Sequence, residues 1–219
     1  MIKQENSTFV LMTDTKAKIR AAALKLFNEQ GIDVITIRHI AKELDISHGN
    51  LQYHYKNSND IIQALFDELT SAVNNNVQHA ESHTATTFAD FCAEIEAFFG
   101  IIWHYRFIFL QFIEVTRRVP GIKTTYNSWD QPRQQQMLRL FHSLQQQNVF
   151  RTDIPDHIWK GLLTQMYIML DFWLSHNEIK LNLKGKKAVR HYSGIFCNLF
   201  YPYLTPKGRE QADNNQAAD

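Results

Sequence analysis

The chain has 219 residues, enough for one domain or two small ones around a substantial hydrophobic core. Its 23 lysines and arginines nearly balance 22 aspartates and glutamates, so no overall basic excess marks a nucleic-acid-binding protein, and such binding would depend on local charge placement. Cys92 and Cys197, the two cysteines, both lie in apolar helical patterns. This favours two reduced thiols in a cytoplasmic protein, although a disulfide between them is possible.

The N-terminal segment has no basic region followed by a long apolar core, so no signal peptide is expected. The most lipid-like stretch, residues 97–115, carries His104, Arg106, Gln111 and Glu114. Four polar side chains in one span would be costly in hydrocarbon, so this stretch is predicted to be a buried helix or helix pair. No membrane partner is expected.

Helical periodicity runs through nearly the whole chain, which predicts an all-α fold. A first helix is predicted to begin near Thr13 and to end at Gly31, which can adopt the left-handed conformation of a helix stop. In the second helix, "ITIRHIAKEL", Thr36 is the predicted N-cap, and apolar residues follow Ile37 at the i, i+3, i+4, i+7 spacing. Two amphipathic helices therefore open the ordered part of the chain.

A turn of only Asp45 and Ile46 precedes a third, short helix, for which Ser47 is the predicted N-cap. Ile46 and Leu51 occupy the two positions of a hydrophobic staple, which fixes the angle at which the chain enters the helix. Leu51 and Tyr55, four residues apart, can both face inward. The side chains left pointing outward are then His48, Gly49, Gln52 and Tyr53.

A fourth helix is predicted to begin at Asn57 or Ser58 and to run to about His79. The composition then changes, because 22 of the 27 aromatic residues lie after residue 87. This half is predicted to have a larger, more aromatic interior, built from helices at about 86–103, 105–118, 122–148, 156–178 and 186–203. The polar tail 206–219 lacks apolar periodicity and is predicted to be disordered.

Three helices in this order, the last two joined by a tight turn, are typical of a helix-turn-helix. A solvent-facing third helix rich in amides, hydroxyls and aromatic rings can contact base edges and phosphates in a major groove. Gly49 keeps the first turn of that helix slim, and Asn50 and Gln52 are residue types that can bond adenine bidentately. Tyr53 and His54 offer phosphate donors and apolar contact.

A short polar helix can equally be a solvated connector, and charge does not decide between the two interpretations. Residues 13–60 carry seven lysines and arginines against six acidic residues. Arg38, Lys56 and the helix N-termini at Thr36 and Ser47 would bind phosphates if they cluster on one surface. This possibility favours DNA binding without excluding the connector.

Residues 16–66 resemble the DNA-binding domain of the tetracycline-repressor (TetR/AcrR) family of bacterial transcription regulators. The resemblance is carried by Phe27 and Gly31 at the end of the first helix and by the patterns T-x-R-x-I-A-x-x-L and I-S-x-G-N-L-x-x-H-Y-K-N. It implies a helix-turn-helix domain over residues 13–60. It also implies a larger helical domain over residues 61–205 that binds a small-molecule effector and forms a homodimer on DNA.

Carried over position by position, the resemblance implies that one set of residues contacts phosphates and another contacts the groove. The phosphate set is Thr36, Arg38, Ser47 and His54, and the groove set is His48, Gly49, Asn50, Gln52 and Tyr53. The sequence departs from the family pattern at Asp45 (usually Gly), Gln52 (usually Tyr) and Ser58 (often Lys). Lys56 is the residue expected to compensate for the missing cation at position 58.

The helix at 156–178 is apolar on nearly all sides and must therefore bury two sides. One side can face its own core and the other a partner subunit, so this helix and that at 186–203 are predicted to form a four-helix dimer interface. A large monomeric core is the alternative. A two-fold dimer would present two recognition helices to a pseudo-palindromic DNA site. The predicted interface residues are Leu163, Tyr167, Leu170, Leu174, Phe196 and Phe200.

Aromatic residues interrupted by a few polar groups suggest a small-molecule site for a mostly apolar effector, since such sites have apolar walls with few polar groups. The predicted ligand-binding residues are Trp103, Phe107, Gln111, Glu114, Gln165 and Met169. Aromatic stripes at helical spacing can equally be ordinary core.

The chain has no HExxH, Cys-x-x-Cys, nucleophile-elbow or phosphate-loop motif, so no catalytic residue, cofactor or enzymatic activity is expected. His79 and His83 have a helical metal-ligand spacing, but a solvated pair is favoured and no metal site is predicted. The sequence therefore predicts a ligand-responsive transcriptional repressor. The alternative is a helical small-molecule-binding or scaffold protein that has lost DNA binding.

Overall fold

The computed structural model describes residues 2–82 and 87–216, and these residues are helical except for turns and one antiparallel bridge between Phe150 and Leu204. The predicted all-α fold is confirmed. The helices in chain order are α1 (Ile2–Gln30), α2 (Ile37–Glu43), α3 (His48–His54), α4 (Ser58–Ser82), α5 (Phe88–His104), α6 (Arg106–Leu110), α7 (Phe112–Arg118), α8 (Pro120–Ser128), α9 (Asp130–Gln146), α10 (Asp156–Lys180), α11 (Gly185–Asn198) and α12 (Pro206–Gln216), with a 3-10 turn at Tyr201–Tyr203.

The chain forms two compact units, each built from two separate segments. The first unit combines the segment up to Leu69 with Tyr105–Lys123, and the second combines Thr70–His104 with the segment from Thr124 onward. The first unit thus contains α6 and α7 in addition to the helix-turn-helix. None of the helices in the described ranges has both the length and the apolar character needed to cross a membrane.

The first unit is built on the apolar face of α1. Ile19, Ala23 and Phe27 on that face are each at most 1% exposed, and Leu51 of α3 is fully buried. The spacing of these α1 residues, four apart, places them one above the other on a single side of the helix. Leu24 and Leu26 are also buried, whereas Lys16, Lys18 and Lys25 are exposed, so a helix with many polar residues still anchors the unit.

The turn between α2 and α3 is closed by a pair of backbone hydrogen bonds. The Asp45 N–H donates to the Lys42 carbonyl at 3.2 Å, and the Ile46 N–H donates to the Ala41 carbonyl at 3.0 Å. This is the Schellman pattern, which requires a left-handed residue just past the helix end. Asp45 supplies it, with φ of 53°. The predicted cap of α3 is confirmed, since the Ser47 Oγ accepts a hydrogen bond from the Asn50 N–H at 3.1 Å.

Replacing Asp45 with glycine is expected to stabilise the protein by about 0.5–1 kcal/mol, because glycine adopts positive φ without a Cβ clash. Asp45→Ala is the matched control: alanine keeps the Cβ but loses the local hydrogen bonding that helps aspartate tolerate this conformation, so it should be less stable than the wild type. Urea unfolding followed by circular dichroism ranks the three proteins. Equal midpoints would show that position 45 stores no backbone strain.

The interior of the second unit is a continuous cluster of aromatic rings, as the composition of this half predicts. Phe91 lies 4.8 Å from Phe200 and Phe141 lies 4.9 Å from Trp159 between ring centroids. Phe150 sits among them, 5.9 Å from Phe200. Edge-to-face and offset contacts of this kind add to the free energy gained from burying the rings. The helices that carry this cluster are α5, α9, α10 and α11 together with the segments that follow α9 and α11.

The prediction of a disordered tail is wrong for Pro206–Gln216, which form α12; residues 217–219 lie outside the described residues. The helix begins with a cap in which the Thr205 Oγ1 accepts from the Gly208 N–H at 3.1 Å. It docks through Ala212, which is 5% exposed, and through Gln211, whose Oε1 accepts from the Phe88 N–H at 2.8 Å. Small residues and polar contacts hold this helix, so it shows no apolar periodicity in the sequence.

Gly208→Ala is expected to destabilise the second unit by about 1–3 kcal/mol, a usual cost of overpacking. A Cβ at position 208 would lie 2.4 Å from the Val149 carbonyl oxygen, so α12 must move away from the bridge at Phe150. Gly100→Ala is the matched control, because no atom lies within 4 Å of its added Cβ and alanine favours a helix interior. Thermal unfolding should rank Gly100→Ala at or above the wild type and Gly208→Ala below it; a Gly208→Ala melting temperature equal to the wild type would contradict this packing.

Candidate nucleic-acid interface and effector site

The outward face of α3 is a polar surface of the first unit. Leu51 is fully buried and Tyr55 is 8% exposed, so the helix is held from behind, while Tyr53 is 73% exposed. The other outward residues, His48, Gly49, Asn50 and Gln52, are also exposed, and His54 is half-buried with its ring 5.3 Å from that of Tyr53. The structure therefore brings all the predicted groove-contacting residues onto one short, solvent-facing helix.

The residues predicted to contact phosphates lie at the ends of the same helices. Thr36, Arg38, Ser47 and Lys56 are all exposed. The N-terminus of α2 is closed by His39, whose Nδ1 accepts a hydrogen bond from the Thr36 N–H at 3.2 Å. Side-chain hydroxyls at helix starts and nearby cations are groups that bind phosphate oxygens. These four residues are thus available to solvent, whereas His54, which was also predicted to contact phosphate, is half-buried.

A polar network behind α3 fixes the end of that helix. The Arg20 Nη1 donates to the Tyr55 Oη at 3.0 Å, and the Arg20 Nε donates to Glu68 of α4. Partial burial lowers the pKa of Arg20, but the hydrogen bonds to Tyr55 and Glu68 outweigh it and raise that pKa overall. Burial and the charge of Glu68 raise the pKa of Tyr105. The network therefore ties α1 and α4 to the residue that ends α3.

Arg20 was not singled out from the sequence, although it directly follows the buried Ile19 and so lies at the edge of the core-facing stripe of α1. Lys16, one turn earlier, places its Nζ 5.9 Å from the centre of the Tyr55 ring. A basic residue at the margin of an apolar stripe is a signal that sequence reasoning can use. Its partners, by contrast, lie 35 and 48 residues away along the chain, and only the fold identifies them.

Two of the predicted ligand-binding residues, Phe107 and Gln111, make contacts that hold the first unit together. Phe107 is 1% exposed and packs on Phe27, with ring centroids 5.2 Å apart. Gln111 spans the α1–α2 turn: its Oε1 accepts from the Ile32 N–H at 2.8 Å, and its Nε2 donates to Asp33 at 3.1 Å. Both ends of the Gln111 amide are thereby satisfied by the protein itself.

The same turn receives a second contact from α7. The Arg118 Nη1 donates to the Ile32 carbonyl at 3.1 Å and to the Asp33 Oδ1 at 3.2 Å. Gly31 makes the close approach possible, because it has φ of +80° and an added Cβ would lie 3.1 Å from the Gln111 Oε1. Glu114, a third predicted ligand residue, is half-buried on α7 in this unit. These contacts make α6 and α7 part of the helix-turn-helix support.

The remaining predicted ligand residues, Trp103, Gln165 and Met169, belong to the second unit. Gln165 is exposed, whereas Trp103 and Met169 are half-buried. The ring of Trp103 stacks at 6.3 Å from that of Trp173, a residue that sequence reasoning did not select. The six predicted residues are therefore divided between the two units, and the aromatic pair is the part that supports a ligand site.

Trp173 combines deep burial with an unused polar group. It is 2% exposed, and its ring lies 5.0 Å from that of Tyr192 and 5.2 Å from that of Phe99. Its Nε1–H has no hydrogen-bond acceptor among the described residues. Burying an indole N–H without a partner costs about 1–3 kcal/mol. A bound molecule that carries an acceptor would recover that cost.

The predicted dimer-interface residues are mostly buried within the chain, and the prediction is wrong for four of them. Leu163 and Leu174 are 2% exposed, and Phe196 and Phe200 are fully buried in the aromatic cluster. Tyr167 and Leu170 are half-buried. Because these side chains already pack in their own core, a partner subunit cannot contact most of them.

A different stripe of the same helices is exposed. On α10, Ile168 is 57% exposed, Phe172 47% and Ile179 78%, and on α11 Ile195 is 42% exposed. The α10 residues are four and seven apart, a spacing that places them on one side of the helix. Since α10 is apolar nearly all round, the sequence pattern alone did not distinguish this stripe from the one that faces the core.

The histidine pair considered for metal binding is only partly described. His79 contacts Glu94 of α5, with 3.1 Å between the His79 Nδ1 and the Glu94 Oε1, and His83 lies outside the described residues. Over residues 2–82 and 87–216, no three histidine, cysteine or acidic side chains are grouped so that they could hold a metal ion.

Comparison with known proteins identifies the family. Residues 19–65 match the model described as bacterial regulatory proteins, tetR family, and residues 68–212 match the TetR model described as bacterial transcriptional repressor. A TetR-family transcriptional regulator from Marinobacter aquaeolei VT8 has a similar structure, with a TM-score of 0.81 and 25% identity over 93% of this chain and 96% of that one. A putative transcriptional regulator from Saccharomonospora viridis in complex with choline has a TM-score of 0.67 and 20% identity, covering 88% and 99%.

Among curated proteins, the probable HTH-type transcriptional regulator YttP of Bacillus subtilis is 28% identical over 76 residues, which are 35% of this chain and 37% of that protein. The match to this relative thus spans little more than a third of its length. The matched families and relatives are transcriptional regulators rather than enzymes, as the sequence predicts. This chain therefore belongs to the TetR family of transcriptional regulators and carries its DNA-binding helix-turn-helix domain.

Proposed function

We propose that this protein is a cytoplasmic, homodimeric repressor that binds a pseudo-palindromic operator and is released by a small-molecule effector. The observation that carries the proposal is α3, which anchors itself through Leu51 and Tyr55 and turns Asn50, Gln52 and Tyr53 to solvent. A helix with this distribution can enter a major groove without losing its attachment to the core. The proposed base contacts come from these outward residues.

The proposed phosphate contacts flank the groove-reading helix. Arg38 and Lys56 are exposed cations, and the hydroxyls of Thr36 and Ser47 lie at the starts of α2 and α3. With two cations in each protomer, a dimer neutralises about four phosphates, which gives a slope of about −3.6 in a plot of log affinity against log salt. The affinity is therefore expected to fall roughly 150-fold between 50 and 200 mM salt.

The proposed dimer forms through the exposed apolar stripe of α10 and α11. Ile168, Phe172, Ile179 and Ile195 are large apolar side chains that the chain itself does not cover. A two-fold axis beside these helices would bury the copies of these residues from both protomers against each other and produce a self-complementary interface. Such a dimer presents two copies of α3 to half-sites about 34–36 Å apart, one turn of DNA.

The proposed effector site surrounds Trp173 in the second unit. The buried Nε1–H offers one hydrogen-bond donor, and Phe99, Trp103 and Tyr192 supply aromatic walls. The effector class that fits is a mostly apolar molecule with one hydrogen-bond acceptor. Aromatic rings also attract cations, and the Saccharomonospora viridis relative was solved with choline, so choline is a useful comparison ligand.

Release of DNA requires that the effector bind the conformation that does not bind DNA more tightly than the one that does. An effector with equal affinity for both states would leave the operator occupied, however tightly it binds. Quenching of Trp173 fluorescence by a candidate effector, lost in Trp173→Phe, tests binding at this site. Release of labelled operator at the same concentration tests whether binding is coupled to DNA.

Fluorescence anisotropy on the DNA upstream of the protein's own gene, at two salt concentrations, tests the proposed function. Tight binding that a scrambled duplex does not share, with the expected salt slope, supports the repressor. The charge balance of residues 13–60 and the departures at Gln52 and Ser58 favour the alternative of a helical binding or scaffold protein without DNA recognition. Equal, weak binding to both duplexes would support that alternative if a genome-wide binding selection also finds no preferred sequence.

A further inference from the structure

The two cysteines occupy facing positions on α5 and α11, which pack side by side in the second unit. On one side of them, the rings of Phe91 and Phe200 lie 4.8 Å apart. On the other side, the Arg190 Nε lies 3.7 Å from the Glu96 Oε1. Early residues of α5 thus face late residues of α11, so the helices run antiparallel. Cys92 and Cys197 lie between these two contacts.

The side chains of Cys92 and Cys197 face each other where α5 packs on α11. Cys92 is half-buried, whereas Cys197 is buried. The hydrogen bond to Cys92, followed by burial, raises the pKa of the Cys197 thiol. Cys197 therefore stays protonated at neutral pH, while the more exposed Cys92 is the sulfur that a small solute can reach.

The helix packing satisfies the backbone requirement of a disulfide. Helices that pack through side chains lie about 8–10 Å apart, and Cα atoms lie about 2.3 Å from each helix axis. Facing Cα atoms are therefore roughly 3.5–5.5 Å apart, which overlaps the range of about 4.4–6.8 Å found across disulfides. Because the flanking contacts fix the register, we expect a disulfide between the two sulfurs to form without a large shift of the helices.

We propose that Cys92 and Cys197 are a peroxide-reactive pair that closes into a disulfide within one chain. The reaction of the two thiols requires neither DNA binding nor an effector. The reduced pair is the resting form in a reducing compartment, and the oxidant is a hydroperoxide.

The reaction consumes one peroxide for each pair. The Cys92 thiolate attacks one peroxide oxygen, the O–O bond breaks, and Cys92 becomes a sulfenic acid while hydroxide leaves and takes up a proton as water. The Cys197 sulfur then attacks the Cys92 sulfur, the S–O bond breaks, and the Cys197 proton leaves with the departing hydroxide as water. Two thiols and one hydrogen peroxide give one disulfide and two waters. Both sulfurs are oxidised and both peroxide oxygens are reduced.

The bond would cross-link residues 105 positions apart in the sequence and join α5 to α11 covalently. A cross-link that closes so long a loop restricts the unfolded chain strongly. The melting temperature of the oxidised protein is therefore expected to rise by about 5–10 °C. Reduction with dithiothreitol should return it to the starting value.

The test treats the purified full-length protein with hydrogen peroxide, removes the excess, and counts free thiols by alkylation and intact mass. The expected result is loss of both thiols, a mass decrease of two hydrogen atoms, and a non-reduced peptide that joins Cys92 to Cys197. Cys92→Ser and Cys197→Ser are the matched controls. Neither variant should form a cross-link within the chain after the same treatment, and neither should show a peroxide-dependent rise in melting temperature.

Three results would overturn the proposal. One is a wild-type protein whose thiols survive under conditions that oxidise free cysteine, and a second is a mass increase from added oxygen without a cross-linked peptide. A third is a disulfide found only between chains, seen as a covalent dimer on a non-reducing gel. Melting curves of both reduced serine variants within a few degrees of the wild type establish that the controls are folded.

Discussion

Replacing Gln52 and Tyr53 with alanine is expected to weaken operator binding at least 100-fold while leaving the fold intact. A bidentate amide contact to a base is worth about 1–3 kcal/mol, and a phosphate hydrogen bond adds about 1 kcal/mol. About 3 kcal/mol corresponds to roughly a 100-fold loss, and a dimer loses each contact twice. Tyr53 is 73% exposed and neither side chain has a core partner to lose, so the free energy of unfolding should change by less than about 0.5 kcal/mol.

Anisotropy titration against operator and scrambled duplexes measures this effect, with circular dichroism melting as the check on folding. The matched control is Asn74→Ala with Asn75→Ala, since these are also exposed polar residues on a helix but lie on α4 in the second unit. The control should bind operator like the wild type. If the Gln52 and Tyr53 variant keeps wild-type affinity and discrimination, α3 does not read the groove through these side chains.

The salt dependence separates the two kinds of contact. Removal of Gln52 should reduce discrimination between operator and scramble and leave the salt slope unchanged, because an amide releases no counterion. Removal of Arg38 or Lys56 should weaken binding to all duplexes and reduce the slope by about two for a dimer. Titrations of operator and scrambled duplexes at two salt concentrations can therefore show whether a side chain contacts the DNA phosphates or the bases.

Local signals explain why the helix-turn-helix could be predicted from the sequence. The α2–α3 turn needs a residue that tolerates positive φ, a cap for α3 and an inward leucine, and Asp45, Ser47 and Leu51 provide these within seven residues. None of these features depends on a distant part of the chain. The predicted outward face of α3 follows from them, because fixing which residues point inward also fixes which point outward.

The contacts that sequence reasoning missed join residues far apart in the chain. Gln111 has the pattern of a polar residue in an apolar pocket wall, but its amide is bonded 79 residues away at Ile32. Phe107 has the same aromatic character whether it lines a ligand site or packs on Phe27. The α12 helix gives no apolar signal, because it docks through Gly208 and Ala212. Gln111 and Phe107 suit either a ligand site or internal packing, and the α12 sequence suits either a disordered tail or a docked helix. Only the tertiary structure distinguishes these environments.

The proposed dimer surface illustrates the same limit. Sequence periodicity shows that α10 must bury two sides, but it does not show which side faces the core of its own chain. In the structure, Leu163 and Leu174 lie in the core, whereas Ile168 and Phe172 lie on the surface. The double variant Ile168→Glu, Phe172→Glu is expected to be monomeric. Across a two-fold axis it would place four carboxylates in an apolar interface, and burying unpaired charge costs several kcal/mol.

Light scattering coupled to size-exclusion chromatography measures the change from dimer to monomer. The matched control is Ile113→Glu, because Ile113 is 56% exposed, nearly the same as Ile168 at 57%, and also lies on a helix. Both proteins should stay folded, since a glutamate at either position points into solvent in the monomer. A double variant that remains dimeric would show that the chain associates through another surface.

Loss of the dimer should also weaken operator binding by at least 100-fold, although α3 itself is unchanged. A dimer binds its second half-site as an intramolecular step, and that advantage is worth about 10²–10⁴ in affinity when geometry allows both sites to be filled. The Ile168 and Phe172 variant and the Gln52 and Tyr53 variant should therefore lose DNA for different reasons, the first as a monomer and the second as a dimer. Measuring mass and affinity on the same samples separates the loss of base contacts from the loss of pairing.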